Sequence, residues 1–324
     1  MGSRPLTAAA ASPSPTRPPF WVVTGPTASG KTALALALAE RLGMEILSMD
    51  SMAVYLGMDI GTAKPSAEER ARVPHHLVDL VPASETFDTA RWCTAAAEAV
   101  EAVRARGKEP LFVGGTPLYL MAFFKGLMQT PPADPELRAE LEAIEAGEPG
   151  RLHAELQRID PDAAARIHRH DLRRLVRAHE VYRLTGQAIS SQQLHFERAD
   201  WLRPCRLVGI GRDRDDLHER VRERTERMLD AGLLDETEAI ERNGGFSPTS
   251  GAAIGYAECR EFLRGRFKDR TELRNRIRRN THRLIRRQTT WLRRLAEVRW
   301  LPGDADDRTL ERYLRAEPPP APLP

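Results

Sequence analysis

The chain has little of what would make it a secreted, membrane-embedded or zinc-built protein. Cysteine occurs only three times in 324 residues, at Cys93, Cys205 and Cys259. These form no CxxC pair and no Cys/His cluster, so neither a disulfide framework nor a zinc site is expected. They read as small buried hydrophobes in a reducing compartment. No apolar run approaches the ~20 residues that span a bilayer. Residues 1–19 contain no hydrophobic stretch that could serve as a secretory signal, and Leu6 breaks the myristoylation pattern that Gly2 would open. Acids are absent there, as in organelle transit peptides, but five prolines argue for a disordered tail. The proline-rich 317–324 reads the same way. A cytoplasmic monomer without membrane contact is the expectation.

Net charge is also scarce: 49 basic against 46 acidic side chains leave +3. The balance is not uniform. Residues 260–299 hold 15 Arg or Lys and four acids, a local excess of +11, which leaves −8 for the rest. A basic block on an acidic body suits a polyanionic partner, most often nucleic acid. It equally suits a solvated amphipathic helix in an arginine-rich chain, and charge alone does not choose.

What is present is an alternation of strands and helices. Residues 20–25 read as a buried strand, followed by a glycine-bounded turn and a helix over 33–42. Further strands are expected at 46–50, in the apolar run 77–81, and at 110–113. An alanine-rich helix spans 89–106. This order implies an α/β protein with a parallel sheet covered by helices on both faces, where ligands bind beyond the C-terminal strand ends. The pattern changes near 130. A Pro-Pro-Ala-Asp-Pro linker leads into a stretch that is helical to about 199, before a strand returns at 207–211. Long helices follow at 216–231, 233–242, 252–263 and 269–295, with a last strand at 298–301. The chain therefore divides into a tail (1–19), a first core segment (20–129), an all-helical insertion (130–200), a second core segment with basic C-terminal helices (201–316), and a tail (317–324).

Residues 25–32, Gly25-Pro26-Thr27-Ala28-Ser29-Gly30-Lys31-Thr32, match GxxxxGK[ST] between a strand and a helix. Glycines there let backbone N–H groups converge on phosphate oxygens, and the helix N-terminus adds its positive dipole end. Lys31 is placed to reach a terminal phosphate and the Thr32 hydroxyl to ligand Mg²⁺. The loop does not say which phosphate compound it holds; ATP or GTP is the general expectation. Asp50 ends the second strand, either as a Mg²⁺ ligand or cap, or as a general base facing the phosphates. Thr116 follows Gly114-Gly115 at the end of a later strand, where capping the next helix is its simplest role. His75-His76 are adjacent in an extended segment and so point to opposite faces, which speaks against a shared metal.

The runs GPTASGKT, DSM, YLGMDIGTAKP, PHHLVD, LFVGGTPLY, IGYAE and RRQTTW, in this order over nearly the whole chain, resemble bacterial tRNA dimethylallyltransferases (tRNA isopentenyltransferases). The resemblance implies a P-loop kinase-like core with a helical insertion that grips the anticodon stem-loop. It implies transfer of a dimethylallyl group from dimethylallyl diphosphate to N6 of the adenosine 3′-adjacent to the anticodon. The phosphate loop would then hold the prenyl donor's diphosphate. Asp50 matches the catalytic aspartate, and Thr116 the threonine beside donor and target nucleotide. Ser51, Met52 and Ala53 match a segment lining the tRNA channel, and Arg220 an arginine near the diphosphate. On the RNA side, Arg138, Arg173, Arg174 and Arg177 lie in the insertion. The family reads close to QRLxRALE there; this chain has Arg173 for the Gln and His179 for the second Leu. Gly255-Tyr256 matches a GY element whose flanking arginines are here Ala252 and Ala257. Tyr256 could stack on a base or pack in the core. Arg283, Arg286 and Arg287 share a broad helix face suited to an anticodon arm.

Three rivals remain. A P-loop ATP-dependent small-molecule kinase would need neither an arginine-rich insertion nor an RNA face. A prenyltransferase for free adenine nucleotides would not need an insertion of about 70 residues. An RNA-binding protein without chemistry would not need Lys31, Thr32, Asp50 and Thr116 together.

Overall fold

The computed structural model describes residues 19–126, 131–191 and 202–316. The two tails, apart from Pro19, lie outside the described residues, as do residues 127–130 and 192–201 around the two ends of the insertion. Strand β1 (Phe20–Thr24) is apolar from Phe20 to Val23, as suits a central strand covered on both faces. The chain then turns through the phosphate loop into α1 (Lys31–Leu42), which ends at Gly43. Strand β2 (Glu45–Ser48) follows, then the short β3 (Tyr55–Leu56), α2 (Ala67–Arg72), β4 (His75–His76) and β5 (Val81–Pro82). Helix α3 (Thr89–Ala105) starts where the Asp88 carboxylate accepts from the Arg91 amide. Strand β6 (Pro110–Gly114) is wholly buried and leads into α4 (Pro117–Phe124).

The insertion contributes α5 (Pro135–Gly147), α6 (Arg151–Ile159), α7 (Pro161–Arg166) and α8 (Leu172–Thr185). They close around their own apolar cluster, including Leu141, Leu152, Leu156, Leu175 and Val181. Strand β7 (Cys205–Gly211) returns to the sheet. Then come α9 (Arg214–Asp230), α10 (Leu233–Arg242), α11 (Tyr256–Leu263), α12 (Arg270–Leu292), β8 (Arg299–Pro302) and α13 (Asp307–Arg315).

The main sheet runs β4-β2-β6-β1-β7-β8, and every neighbouring pair is parallel. One apolar layer, with Trp92, Phe112, Tyr119, Phe123 and Phe124, covers one face. A second, built on α1 and α13, covers the other. Parallel strands put all their C-terminal ends on one edge. The loops after β1, β2 and β6 therefore emerge side by side, and they carry the phosphate loop, Asp50 and Thr116.

Three expectations need correction. The main-sheet strand expected in the apolar run 77–81 is instead β4 (His75–His76); positive φ at Leu77 (64°) and Asp79 (55°) turns the chain out of the sheet there. The helix expected from 252 begins at Tyr256, because Gly255 takes φ 99° and its N–H is bound by the Glu258 carboxylate (2.7 Å). Helix α13 is absent from the sequence reading. Asp306 caps it through the Thr309 amide (2.7 Å), Leu310 and Leu314 are buried, and Arg41 clamps Asp307 and Glu311.

Candidate active site

The phosphate loop leaves β1 at Gly25 and closes at Gly30, whose φ of 92° admits glycine with little strain. Lys31 starts α1 and folds back so that its amine donates to the Pro26 carbonyl (3.2 Å). Burial is the chief influence on that amine. It pushes the pKa down to about 8, with Asp50 opposing and Arg224 reinforcing the shift. The Thr32 side chain is open at the first turn of α1.

Asp50 and Thr116 come together. The Asp50 Oδ1 accepts from the Met52 amide (2.8 Å), which fixes the carboxylate in a tight turn. The Ser51 amide donates to Thr116 Oγ1 (3.2 Å). Thr116 occupies the N-cap position of α4, yet its side chain makes no bond to its own helix. The hydroxyl holds the Asp50 turn instead. Its backbone N–H donates to the Met49 carbonyl (3.2 Å), which ties the ends of β2 and β6 a second time.

Three residues that the sequence reading did not single out complete the site. Arg224, on α9, donates to Thr27 Oγ1 (3.2 Å) and to the Thr62 carbonyl (3.4 Å). Its pKa is lowered chiefly by burial, so its charge lies under cover beside the loop. Arg212, after β7, donates to the Ser29 carbonyl (2.8 Å) and to Gly303. Gln288, on α12, accepts from the Thr27 amide (2.9 Å) and donates to the Gly115 carbonyl (2.7 Å). Arg220 is placed differently from expectation. Its guanidinium donates to Asp216 (3.0 Å), which in turn holds Arg212 (2.5 Å). The arginine touching the loop is thus one helical turn further on. Arg220 and Arg224 lie four residues apart on one helix face, so their spacing does not choose between them.

Lys31 and Arg224 converge on a loop of backbone donors, with a carboxylate and a threonine at the adjoining strand ends. That arrangement can neutralise a diphosphate and accept a proton from a nucleophile beside it. Comparisons with known proteins identify the family. The model of the IPP transferase family matches residues 53–295, and that of isopentenyl transferases matches 19–80. The tRNA dimethylallyltransferase of Methylococcus capsulatus is 46% identical over 312 residues, covering 92% of this chain and 98% of that one. That of Ralstonia pickettii is 47% identical over 284 residues, covering 84% and 87%. The crystal structure of the full-length tRNA isopentenylpyrophosphate transferase of Bacillus halodurans superposes with a TM-score of 0.66 at 37% identity, covering 91% of this chain and 94% of that one.

The chain belongs to the IPP transferase family. It is accordingly an enzyme, a prenyl transferase.

By burial and contacts, the residues expected on the RNA side sort into two groups. Arg283, Arg286 and Arg287 are exposed and border a groove of about 570 Å³ that Ala252, Ala257 and Asn280 also line. Small side chains at 252 and 257 leave the groove open where arginines were expected. Arg173 and Arg174 are exposed on α8, with Arg174 beside Asp171. Ser51 and Met52 are half-buried at the mouth.

The second group is turned inward. Tyr256 is fully buried. Its hydroxyl donates to Glu236 and accepts from the Gly61 amide (3.0 Å), and burial with Glu236 pushes its pKa up. Base stacking is therefore closed to it, and packing against the 57–64 loop is its role. Gly255 is covered in the same way. Ala53 is also buried, with its carbonyl bound by the Asp79 amide (3.1 Å), so its side chain does not line an open channel. Arg138 and Arg177 both bind the buried Glu180. These guanidiniums hold the insertion together, and a substitution at either one tests the fold before it tests RNA.

The basic block is likewise less free than its formal charge. Arg274 and Arg278 pair with Glu226 of α9, and Arg260 with Glu241 of α10. The acids come from other helices, so sequence counting over 260–299 misses them.

The Lys31 shift carries a pH prediction. The amine is charged below its pKa of about 8 and loses its charge above it. Inorganic pyrophosphate should bind progressively more weakly as pH rises from about 7 to about 9.5, an interval in which an ordinary lysine stays charged. Calorimetric titration of the protein without tRNA measures this. A flat affinity over that interval would detach Lys31 from the phosphate.

Proposed function

We propose that the chain transfers a dimethylallyl group from dimethylallyl diphosphate to N6 of the adenosine 3′-adjacent to the anticodon of tRNA, releasing diphosphate. The observation that carries this is the Asp50–Thr116 pair locked at the ends of β2 and β6, beside a phosphate loop that Arg224 and Lys31 flank. Asp50 uses Oδ1 to hold its own turn and leaves Oδ2 to accept the N6 proton. An exocyclic adenine amine is a weak nucleophile because its lone pair is delocalised, so a positioned carboxylate assists it. The N6–C1 bond forms, the C1–O bond to diphosphate breaks, and the oxygen keeps the electron pair. Loop amides, Lys31 and Arg224 stabilise the charge that develops there. Thr116 stands at the junction of donor and nucleotide.

Mg²⁺ fits the donor set. It takes oxygen ligands, tolerates few protein contacts and keeps several waters. The exposed Thr32 hydroxyl at the first turn of α1 would supply one such ligand beside a bound diphosphate. When bound, the ion would neutralise leaving-group charge. The groove bordered by Arg283, Arg286 and Arg287 would take the anticodon stem through its phosphates, with Arg173 and Arg174 adding contacts from the insertion. Taking the adenine out of its stack would bring N6 to Asp50.

The three cysteines support a reducing, cytoplasmic setting: all are free, and burial pushes each thiol up in pKa, so they act as inert hydrophobes. Among the described residues no helix is long and apolar enough to cross a membrane.

The test is purified protein with radiolabelled dimethylallyl diphosphate and bulk tRNA, followed by nucleoside analysis. Label on N6 of adenosine is the expected result. Label staying in the donor while phosphate moves from ATP to a small molecule would establish the kinase reading instead. Free adenine nucleotides outcompeting tRNA would overturn the choice of acceptor.

A further inference from the structure

Gln288 is half-buried in the middle of the most basic helix, yet it turns away from that helix's exposed arginines. Arg286 and Arg287 beside it point outward, while the Gln288 amide turns inward and spans two loops. Its Oε1 takes the Thr27 N–H (2.9 Å), and its Nε2 reaches the Gly115 carbonyl (2.7 Å). Thr27 belongs to the phosphate loop after β1, and Gly115 precedes Thr116 in the loop after β6.

The fit is close. A Cβ on Gly115 would lie 2.8 Å from the Gln288 amide nitrogen and 2.9 Å from the Gly25 carbonyl. Only glycine lets the two loops and the amide meet. From Gly115 the connection continues through Thr116 Oγ1 to the Ser51 amide, next to Asp50. On the other side, the Thr27 hydroxyl is held by Arg224. One side-chain amide thus ties the loop that would seat the donor's diphosphate to the strand end that carries the acceptor machinery. Both of its polar ends are used, one as acceptor and one as donor, as a side-chain amide supplies, and Asn is one methylene too short to make the same span.

We infer that Gln288 is a positioning residue that sets the register between the donor's diphosphate and the Asp50–Thr116 pair. It touches neither substrate. This rests on the reading of the loop as the diphosphate site. Asp50, Lys31 and Arg224 lie on the loop side of the amide, and Arg286 and Arg287 flank it on α12, so a charge placed at 288 would also disturb the site electrostatically.

The experiment compares Gln288→Leu, which keeps the volume and loses both bonds, with Gln288→Glu, which keeps the acceptor and loses the donor. Melting temperature, pyrophosphate affinity, tRNA affinity and steady-state kinetics are measured for each. Loss of two hydrogen bonds should raise KM for dimethylallyl diphosphate by about tenfold in Gln288→Leu and lower kcat as well. KM for tRNA should stay within about twofold, because the outward arginines are untouched. Gln288→Glu should be impaired at least as much, since its carboxylate faces the Gly115 carbonyl. Wild-type donor kinetics in both variants would overturn the inference. So would an equal loss of donor and tRNA affinity with a lowered melting temperature, the pattern of a merely structural residue. If wild-type protein itself transfers no prenyl group, the functional reading fails instead, and the two failures are distinguishable.

Discussion

Asp50→Asn is expected to lower turnover by about 10²- to 10⁴-fold, the usual contribution of a positioned general base. Asparagine retains a carbonyl oxygen for the Met52 amide, so the turn that orients residue 50 survives. It cannot take the N6 proton. Affinity for tRNA should hold to within about twofold, because on the proposed reading phosphate contacts, which Asp50 does not make, carry the binding. Single-turnover prenylation with saturating donor isolates the chemical step and avoids product release. Asp50→Ala should lose as much turnover and also loosen the Ser51–Thr116 contact, since the turn is no longer held. The two variants together separate proton transfer from placement. Normal single-turnover rates in Asp50→Asn would sink the general-base role and leave Asp50 as a turn-former.

The local parts of this site could be read from the chain, and the long-range parts could not. The phosphate loop spans eight consecutive residues whose types alone dictate its geometry, so the motif suffices. Asp50 and Thr116 were placed because each ends a strand, and parallel topology brings such ends together. Arg220 was preferred over Arg224 because a helix with several arginines offers no sequence signal for which one points at the loop. Gln288 bonds a residue 261 positions away, and nothing in its own surroundings marks it as inward-facing. Tyr256 shows the opposite failure. An aromatic beside a glycine suits base stacking, but its hydroxyl belongs to a buried pair with Glu236. The family resemblance supplied the activity; it did not supply these orientations. The fold followed the same division. Regular elements with apolar periodicity were legible to within a few residues. Helix α13, with only Leu310, Tyr313 and Leu314 among charged neighbours, was hidden until the sheet supplied the apolar surface that it covers.

The insertion's stability should depend on one carboxylate. Glu180 is fully buried and receives both nitrogens of Arg138 (2.8 and 2.9 Å), the Asp134 amide (2.8 Å) and Arg177. Burial pushes its pKa up, but the bonds from Arg138, Arg177 and Asp134 prevail and hold it down at about 2. Replacing Glu180 by alanine leaves two guanidiniums and an amide without their acceptor. Removing one partner of a buried pair costs about 3–5 kcal/mol; partial exposure of both arginines lets water screen them and puts this case near 3. Urea unfolding followed by hydrogen exchange across 135–185 reads the loss directly. The sign with pH follows from the depressed pKa. Glu180 contributes its full stabilisation above the unfolded carboxyl value near 4.3, and loses it as pH falls towards 2. Wild type should therefore weaken over that interval relative to Glu180→Gln, and the two should converge at its acid end. A wild-type advantage that stays constant across the interval would show that the carboxylate's charge adds nothing to the fold.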